Sequence, residues 1–106
     1  MKIDVVIPVY RPTEKLRKLL IAIQKQTIKA NSIILLHTVD GCDLDWAKAL
    51  GKVVPIIEKS IAKEAFDHGG TRNIGMEMSE ADIVVVMTQD AVPKNQMLLE
   101  HLVTAL

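Results

Sequence analysis

The chain has 106 residues, 49% hydrophobic and 25% charged, and its 13 basic and 13 acidic side chains cancel to a formal net charge of zero. That length suits one small domain, and that composition excludes a chain kept disordered by charge or by want of apolar residues. The balance removes the general cationic footprint of a nucleic-acid binder, so no nucleic-acid partner is expected, and the single Cys42 excludes an intramolecular disulfide framework.

In chain order, "IDVVIPVY" is a valine- and isoleucine-rich run punctuated by Pro8 and Pro12, the pattern of a strand buried on both faces. It begins at once as a strand, so no leader segment is expected, and no apolar run reaches the roughly 20 residues that span a bilayer. Thr13 is placed to cap the following helix, with Glu14 in its first turn. Leu16, Leu19, Leu20 and Ile23 then fall at i, i+3, i+4 and i+7 as one apolar stripe, leaving Lys15, Arg17, Lys18 and Lys25 on solvated faces.

A second strand, "SIILLHTV", ends at the turn signal "DGCD", and His37 within it is expected to be hydrogen-bonded near the core. "LDWAKALG" is weakly helical, with Trp46 as a packing residue, and "VVPII" reads as a third strand. "HGGTRNIG" opens a helix through "MEMS". A fourth strand, "DIVVVMT", passes through "QDAVP" into a last helix, "NQMLLEHLVTAL", whose His101 reads as a surface residue. The order β-α-β-(α)-β-α-β-α implies parallel pairing through right-handed crossovers in one α/β domain, residues 1–106. The sequence stops at Leu106 inside a helical pattern, as a natural end or the cut edge of a longer chain would.

Open α/β sheets bind ligands beyond the carboxyl ends of their strands, and the unusual residues stand at those ends. Asp90, directly after "VVVMTQ", offers oxygens to a hard cation or caps a turn before Pro93. Gly69 and Gly70 let backbone approach a ligand, Thr71 can cap a helix whose free N–H groups would face an anion, and Arg72 adds a fork suited to phosphate. His68 can hydrogen-bond a phosphate or sugar hydroxyl; the same stretch also reads as a tight turn with a surface arginine. Asp40 and Asp43 flank Gly41, either as Asx turns or as acceptors for a base or ribose. Zinc-type cysteine spacing and the common phosphate-loop signatures are absent from the sequence, and no histidine is identifiable as a base for Cys42.

Together, "VVIPVYRP", the acidic turn after strand two, "FDHGGTRNIG" and "VVVMTQDAVP" resemble the N-terminal half of a family 2 glycosyltransferase, and the last two most resemble the bacterial rhamnosyltransferase group. The resemblance covers nearly the whole chain. It implies a GT-A fold, a Rossmann-like, mostly parallel sheet flanked by helices, here truncated to the nucleotide-sugar-binding part. It also implies inverting transfer of rhamnose or a similar sugar from a dTDP- or UDP-linked donor to a polysaccharide or lipid-linked glycan acceptor. Such an enzyme is expected to be cytoplasmic, peripheral at the inner face of the membrane.

Carried onto matching positions, Pro8, Val9 and Tyr10 would line the nucleotide pocket and Asp40 would approach the base or ribose. His68, Gly70 and Arg72 would lie along the nucleotide-diphosphate side. Asp90 would hold Mg²⁺ or Mn²⁺ as the charged member of a shortened D-x-D element, "TQD", with Gln89 beside it. The turn "HTVDGCD" departs from the family's "D-D-G-S" or "D-S-G-S" pattern, which leaves both Asp40 and Asp43 open as the base contact. The resemblance puts the family's general base downstream of Leu106, so no catalytic residue is expected in this chain, which alone would turn over nothing.

Two other readings compete. "GGTR" resembles the glycine-rich loop of a sugar nucleotidylyltransferase, but that loop follows the first strand, where this sequence has "PVYRP". A non-catalytic α/β binding module could use the same rim, and an uncovered sheet edge would also let two copies pair as a homo-oligomer.

Overall fold

Valine and isoleucine fill the strands because their branched side chains pack well on a pleated surface covered from both sides. The computed structural model describes residues 2–62, 74–75, 77–93 and 95–105. These form a four-stranded sheet of β1 (Ile3–Val9), β2 (Ser32–Thr38), β3 (Ile56–Ile61) and β4 (Ile83–Val86), ordered β3-β2-β1-β4 and parallel throughout. Helix α1 (Glu14–Gln24) joins β1 to β2, the single turn α2 (Asp45–Lys48) precedes β3, and α3 (Leu98–Thr104) follows β4. The α/β class with parallel pairing is as the alternating pattern requires.

Alternation sends Val5, Ile7 and Val9 of β1, with Ile33 and Leu35 of β2, to one face of the sheet. There Leu16, Leu19, Leu20 and Ile23 of α1 join Leu44, Ala47, Val54 and Leu99 in one buried cluster. Each of the four α1 residues, removed from water, contributes roughly 1.5–3 kcal/mol relative to exposure. Thr13 caps α1 as expected: its backbone is extended and its hydroxyl accepts the Lys15 N–H at 3.3 Å. Val6, Ile34 and Leu36 point the other way and pack with Ile61, Ile74 and Val84.

On that second face Ile74, Gly75, Glu77 and Met78 are helical. A Cβ at Gly75 would overlap Val6 Cγ1 and come within 3.1 Å of Leu36 Cδ1, so only a glycine lets this backbone lie against the sheet.

Two elements shift from their expected places. The third strand does not run through "VVPII" but begins at Ile56, because Pro55 has no N–H for the ladder; its carbonyl accepts from Ile33 at 2.8 Å instead. The strand then continues through Glu58, Lys59 and Ser60, polar residues that an edge position tolerates. The last helix starts at Leu98 rather than Asn95, whose side-chain oxygen takes the Met97 N–H at 2.8 Å in a local turn. At its other end the helical pattern expected to run to Leu106 is described only as far as Thr104, with Ala105 as its cap; Leu106 itself lies outside the described residues.

Several buried polar groups are satisfied by reaching across the chain, Thr38 Oγ1 being a buried exception among the described residues. Asp4 accepts from Ser79 Oγ at 2.6 Å, Ser32 Oγ at 2.8 Å and Asn31 Nδ2 at 3.2 Å; burial raises its pKa, but these bonds outweigh burial and hold it low. Gln24 takes the N–H groups of Val53 and Val54 and donates to the Val54 carbonyl, while Gln26 donates to the Asn95 carbonyl and takes the Leu99 N–H. No described helix is long and apolar enough to cross a membrane.

Candidate functional site

The order β3-β2-β1-β4 means that the chain steps outward from β1 to β2 and β3, then crosses back to lay β4 on the other side of β1. The strand order thus reverses between β1 and β4, and open α/β sheets take ligands beyond the carboxyl ends of their strands at such a point. The two loops at that point are Tyr10-Arg11-Pro12 and Thr88-Gln89-Asp90.

They are stitched together. The Gln89 side chain accepts the Tyr10 N–H at 2.9 Å and donates to the Tyr10 carbonyl at 2.9 Å, engaging both polar atoms of its amide. The next residue, Arg11, has φ +47, a left-handed conformation in a non-glycine residue directly before a proline. Its N–H donates to Asp40 Oδ2 at 2.6 Å, and its guanidinium carbon stands 5.1 Å from the Tyr10 ring centre. Of the three residues expected to line a nucleotide pocket here, Val9 is buried in the core beneath α1, Pro8 is half-buried in the strand, and Tyr10 stands at the rim.

After β2 the chain turns through Gly41 at φ +83, a conformation glycine adopts without strain. Asp40 closes this turn: its Oδ1 accepts the Cys42 N–H at 2.8 Å, an Asx turn, and lies 2.9 Å from His37 Nε2. His37 Nδ1 lies 2.7 Å from Glu58 Oε2 on β3, and Glu58 Oε1 lies 3.2 Å from Lys48 Nζ, itself 3.2 Å from Asp45. His37 is thus the near-core, hydrogen-bonded residue expected. The Asp40 side chain has 0% of its surface exposed and both oxygens engaged by protein donors. Asp43 is exposed and accepts the Asp45 N–H at 2.7 Å in a second Asx turn.

The electrostatics follow from these contacts. Burial pushes the Asp40 carboxyl up, but the N–H groups of Arg11 and Cys42 and the His37 ring outweigh it and hold the pKa at about 2. Burial likewise opposes ionisation of Glu58, and its bonds to His37 and Lys48 prevail and keep it low. The Cys42 thiol is raised by partial desolvation and by Asp40, which leaves it a poor nucleophile.

Acid should therefore destabilise the protein in a defined window. Asp4, Asp40 and Glu58 are all depressed, so the unfolded chain binds more protons as pH falls. Their stabilisation is complete above the ordinary carboxylate range and is lost as pH drops from the Glu58 reference value of 4.5 and the Asp40 reference value of 3.8 towards the folded Asp40 value of about 2. Asp40 alone represents roughly 2 kcal/mol of that loss. Urea unfolding at a series of pH values between 6 and 2 measures it, and stability that does not fall in acid would contradict this account.

Asp90 is exposed in the turn after β4, and no donor among the described residues meets its carboxylate; its backbone carbonyl takes the Val92 N–H at 3.2 Å. Among the described residues no three His, Cys, Asp or Glu side chains are placed to hold a metal ion together. One open carboxylate fits Mg²⁺ or Mn²⁺ shared with phosphate oxygens and waters, which is how such ions are commonly held. Beside the rim, a cleft of about 330 Å³ lies between the start of α1 and the turn after β2, lined by Pro12, Thr13, Glu14, Arg17, Cys42, Asp43 and Trp46. Trp46 is half-buried against the core, as expected, with the Arg17 guanidinium 5.9 Å from its ring. His68, Gly70 and Arg72, with Gly69 and Thr71, lie outside the described residues. So does Leu106, the position beyond which the general base is expected.

No known protein-family model matches the chain. Over 104 residues it is 30% identical to the O-antigen chain rhamnosyltransferase RfbN of Salmonella typhimurium, a match spanning 97% of this chain and 32% of that protein. Over 84 residues it is 32% identical to the O-antigen chain rhamnosyltransferase WbaN of Salmonella anatum, spanning 78% of this chain and 26% of that one. The chain thus spans about a third or less of the curated relatives it matches. Among solved structures it resembles S. aureus TarS 1-349 with a TM-score of 0.84 at 17% identity, covering 98% of this chain and 32% of that one. A second S. aureus TarS structure gives 0.72 at 18% identity, covering 98% and 19%. The structural likeness establishes the fold, and the sequence likeness agrees with the resemblance drawn from "FDHGGTRNIG" and "TQDAVP".

Proposed function

We propose, taking as premise that this chain is glycosyltransferase-like and related in sequence to the O-antigen rhamnosyltransferases, that it is the donor-binding segment of a glycosyltransferase. The reaction is transfer of rhamnose or a similar sugar from a dTDP- or UDP-linked donor to a polysaccharide or lipid-linked acceptor, with inversion. The observation that carries this reading is the open carboxylate of Asp90 after β4, next in sequence to the Gln89 that ties this loop to Tyr10 at the end of β1.

In such a transfer the bond between the sugar's anomeric carbon and the diphosphate breaks, while the acceptor oxygen bonds to the opposite face of that carbon. Charge accumulates on the departing diphosphate, and a divalent cation, when bound, neutralises it. Asp90 would hold that cation, and Tyr10 would offer its ring to the base. Asp43 is the exposed acidic residue beside this pocket, and Asp40 reaches the ligand through the turn it holds. His68, Gly70 and Arg72 are proposed along the diphosphate. The acceptor's proton would pass to a base downstream of Leu106, so this segment binds and orients the donor, and the whole enzyme would work peripherally at the cytoplasmic face of the membrane.

Calorimetric titration of the intact protein with dTDP and UDP, with and without Mn²⁺, tests the reading. Mn²⁺ should strengthen binding, and Asp90→Ala should weaken it at least about tenfold in Mn²⁺, equivalent to about 1.4 kcal/mol. A folded protein that binds neither diphosphate, or binds one with no dependence on Mn²⁺ or Asp90, would sink it.

A further inference from the structure

Among the described residues Arg11 alone combines a side chain with a positive φ. Sequence disfavours that conformation twice, because the residue is bulky and because a proline follows. Such geometry persists only when its surroundings enforce it, and here both flanking strands do so. Gln89, after β4, grips both polar groups of the Tyr10 backbone, and Asp40, after β2, takes the Arg11 N–H at 2.6 Å while His37 fixes Asp40 from behind.

The side chain so displayed is exposed, and among the described residues no carboxylate pairs with its guanidinium. Its packing over the Tyr10 ring restrains it without neutralising it. A planar, uncommitted cation at a ligand crevice is suited to phosphate oxygens, which it can meet with two parallel bonds. We infer that Arg11 is a ligand-binding residue that takes the phosphate groups of a nucleoside diphosphate, with Gln89 and Asp40 as the residues that position it. The inference rests on the donor-site reading above. It also gives Asp40, whose carboxylate has no exposed surface, a role that needs no contact with the base.

Arg11→Gly removes the cation but accepts the left-handed backbone, so it separates binding from strain. It should be at least as resistant to thermal unfolding as the parent, and should bind dTDP or UDP about tenfold more weakly while thymidine and uridine change by less than about twofold. Arg11→Gln keeps length over Tyr10 without charge, and reports the same quantities should the glycine variant lose its fold. A parent that binds while both variants bind the diphosphates equally well overturns the assignment and leaves the donor-site reading standing. Equal losses for nucleoside and diphosphate also overturn it, since Arg11 would then only shape the turn. A parent that binds neither diphosphate overturns the donor-site reading and this assignment with it.

Discussion

An Asp40→Ala protein should unfold about 3 kcal/mol more readily than the parent in urea, with a Tm lower by roughly 10–20 °C. Three donors converge on this carboxylate, and the substitution leaves the Arg11 and Cys42 N–H groups and the His37 ring without their acceptor. Bonds to a charged acceptor are each worth about 1.5–3 kcal/mol, but water can reach the two backbone groups, so the total stays well below the sum. His37 is the exception: it is buried, and it would face Glu58 alone. Asp43→Ala is the control, because its side chain is exposed and holds one local turn, and it should cost only about 0.5 kcal/mol. Equal losses from the two substitutions would show that Asp40 is not the tie described here.

Gly75→Ala should cost about 2–3 kcal/mol, although alanine for glycine in a helix ordinarily stabilises by about 1 kcal/mol. The sign of the result is therefore decisive. The added methyl would overlap Val6 Cγ1 and press on Leu36 Cδ1, both in the centre of the sheet, where neither can swing away. If that overlap is the cause, pairing Gly75→Ala with Val6→Ala should cost at least about 1 kcal/mol less than the two single losses added together. Denaturation of the four proteins in that cycle measures it, and strictly additive losses would exclude the contact as the reason.

The parts of the fold that were legible in the sequence are those in which a local pattern and the tertiary structure agree. The stripe Leu16, Leu19, Leu20 and Ile23 with its Thr13 cap gave α1, and unbroken apolar runs gave β1, β2 and β4. β3 was displaced because half of it is polar, an edge strand needing only one covered face, and because Pro55 falls inside the apolar run. At the candidate site, the sequence placed Tyr10, Gln89 and Asp90 together at the carboxyl ends of the strands, where the structure also has them. Sequence could not show that Gln89 would spend its amide on Tyr10, 79 residues away, or that Glu58 would stand behind His37. Arg11 was illegible for the opposite reason: a residue before proline reads as extended, and long-range bonds override that preference. The glycine of "FDHGGTRNIG" whose surroundings are described, Gly75, serves close packing rather than a ligand.

The three glutamines described above share a chemical weakness. Gln24, Gln26 and Gln89 each use a primary amide as a detached peptide group, one end accepting and the other donating. Hydrolysis of that amide replaces the donor with a second acceptor oxygen, which would then oppose the carbonyl it formerly held. Gln26 is buried away from water, whereas Gln24 and Gln89 are only half-buried. Chemical ageing should therefore loosen the stitch between the loops after β1 and β4 before it frees the last helix, so that stored protein loses the shape of that rim while its core is still folded.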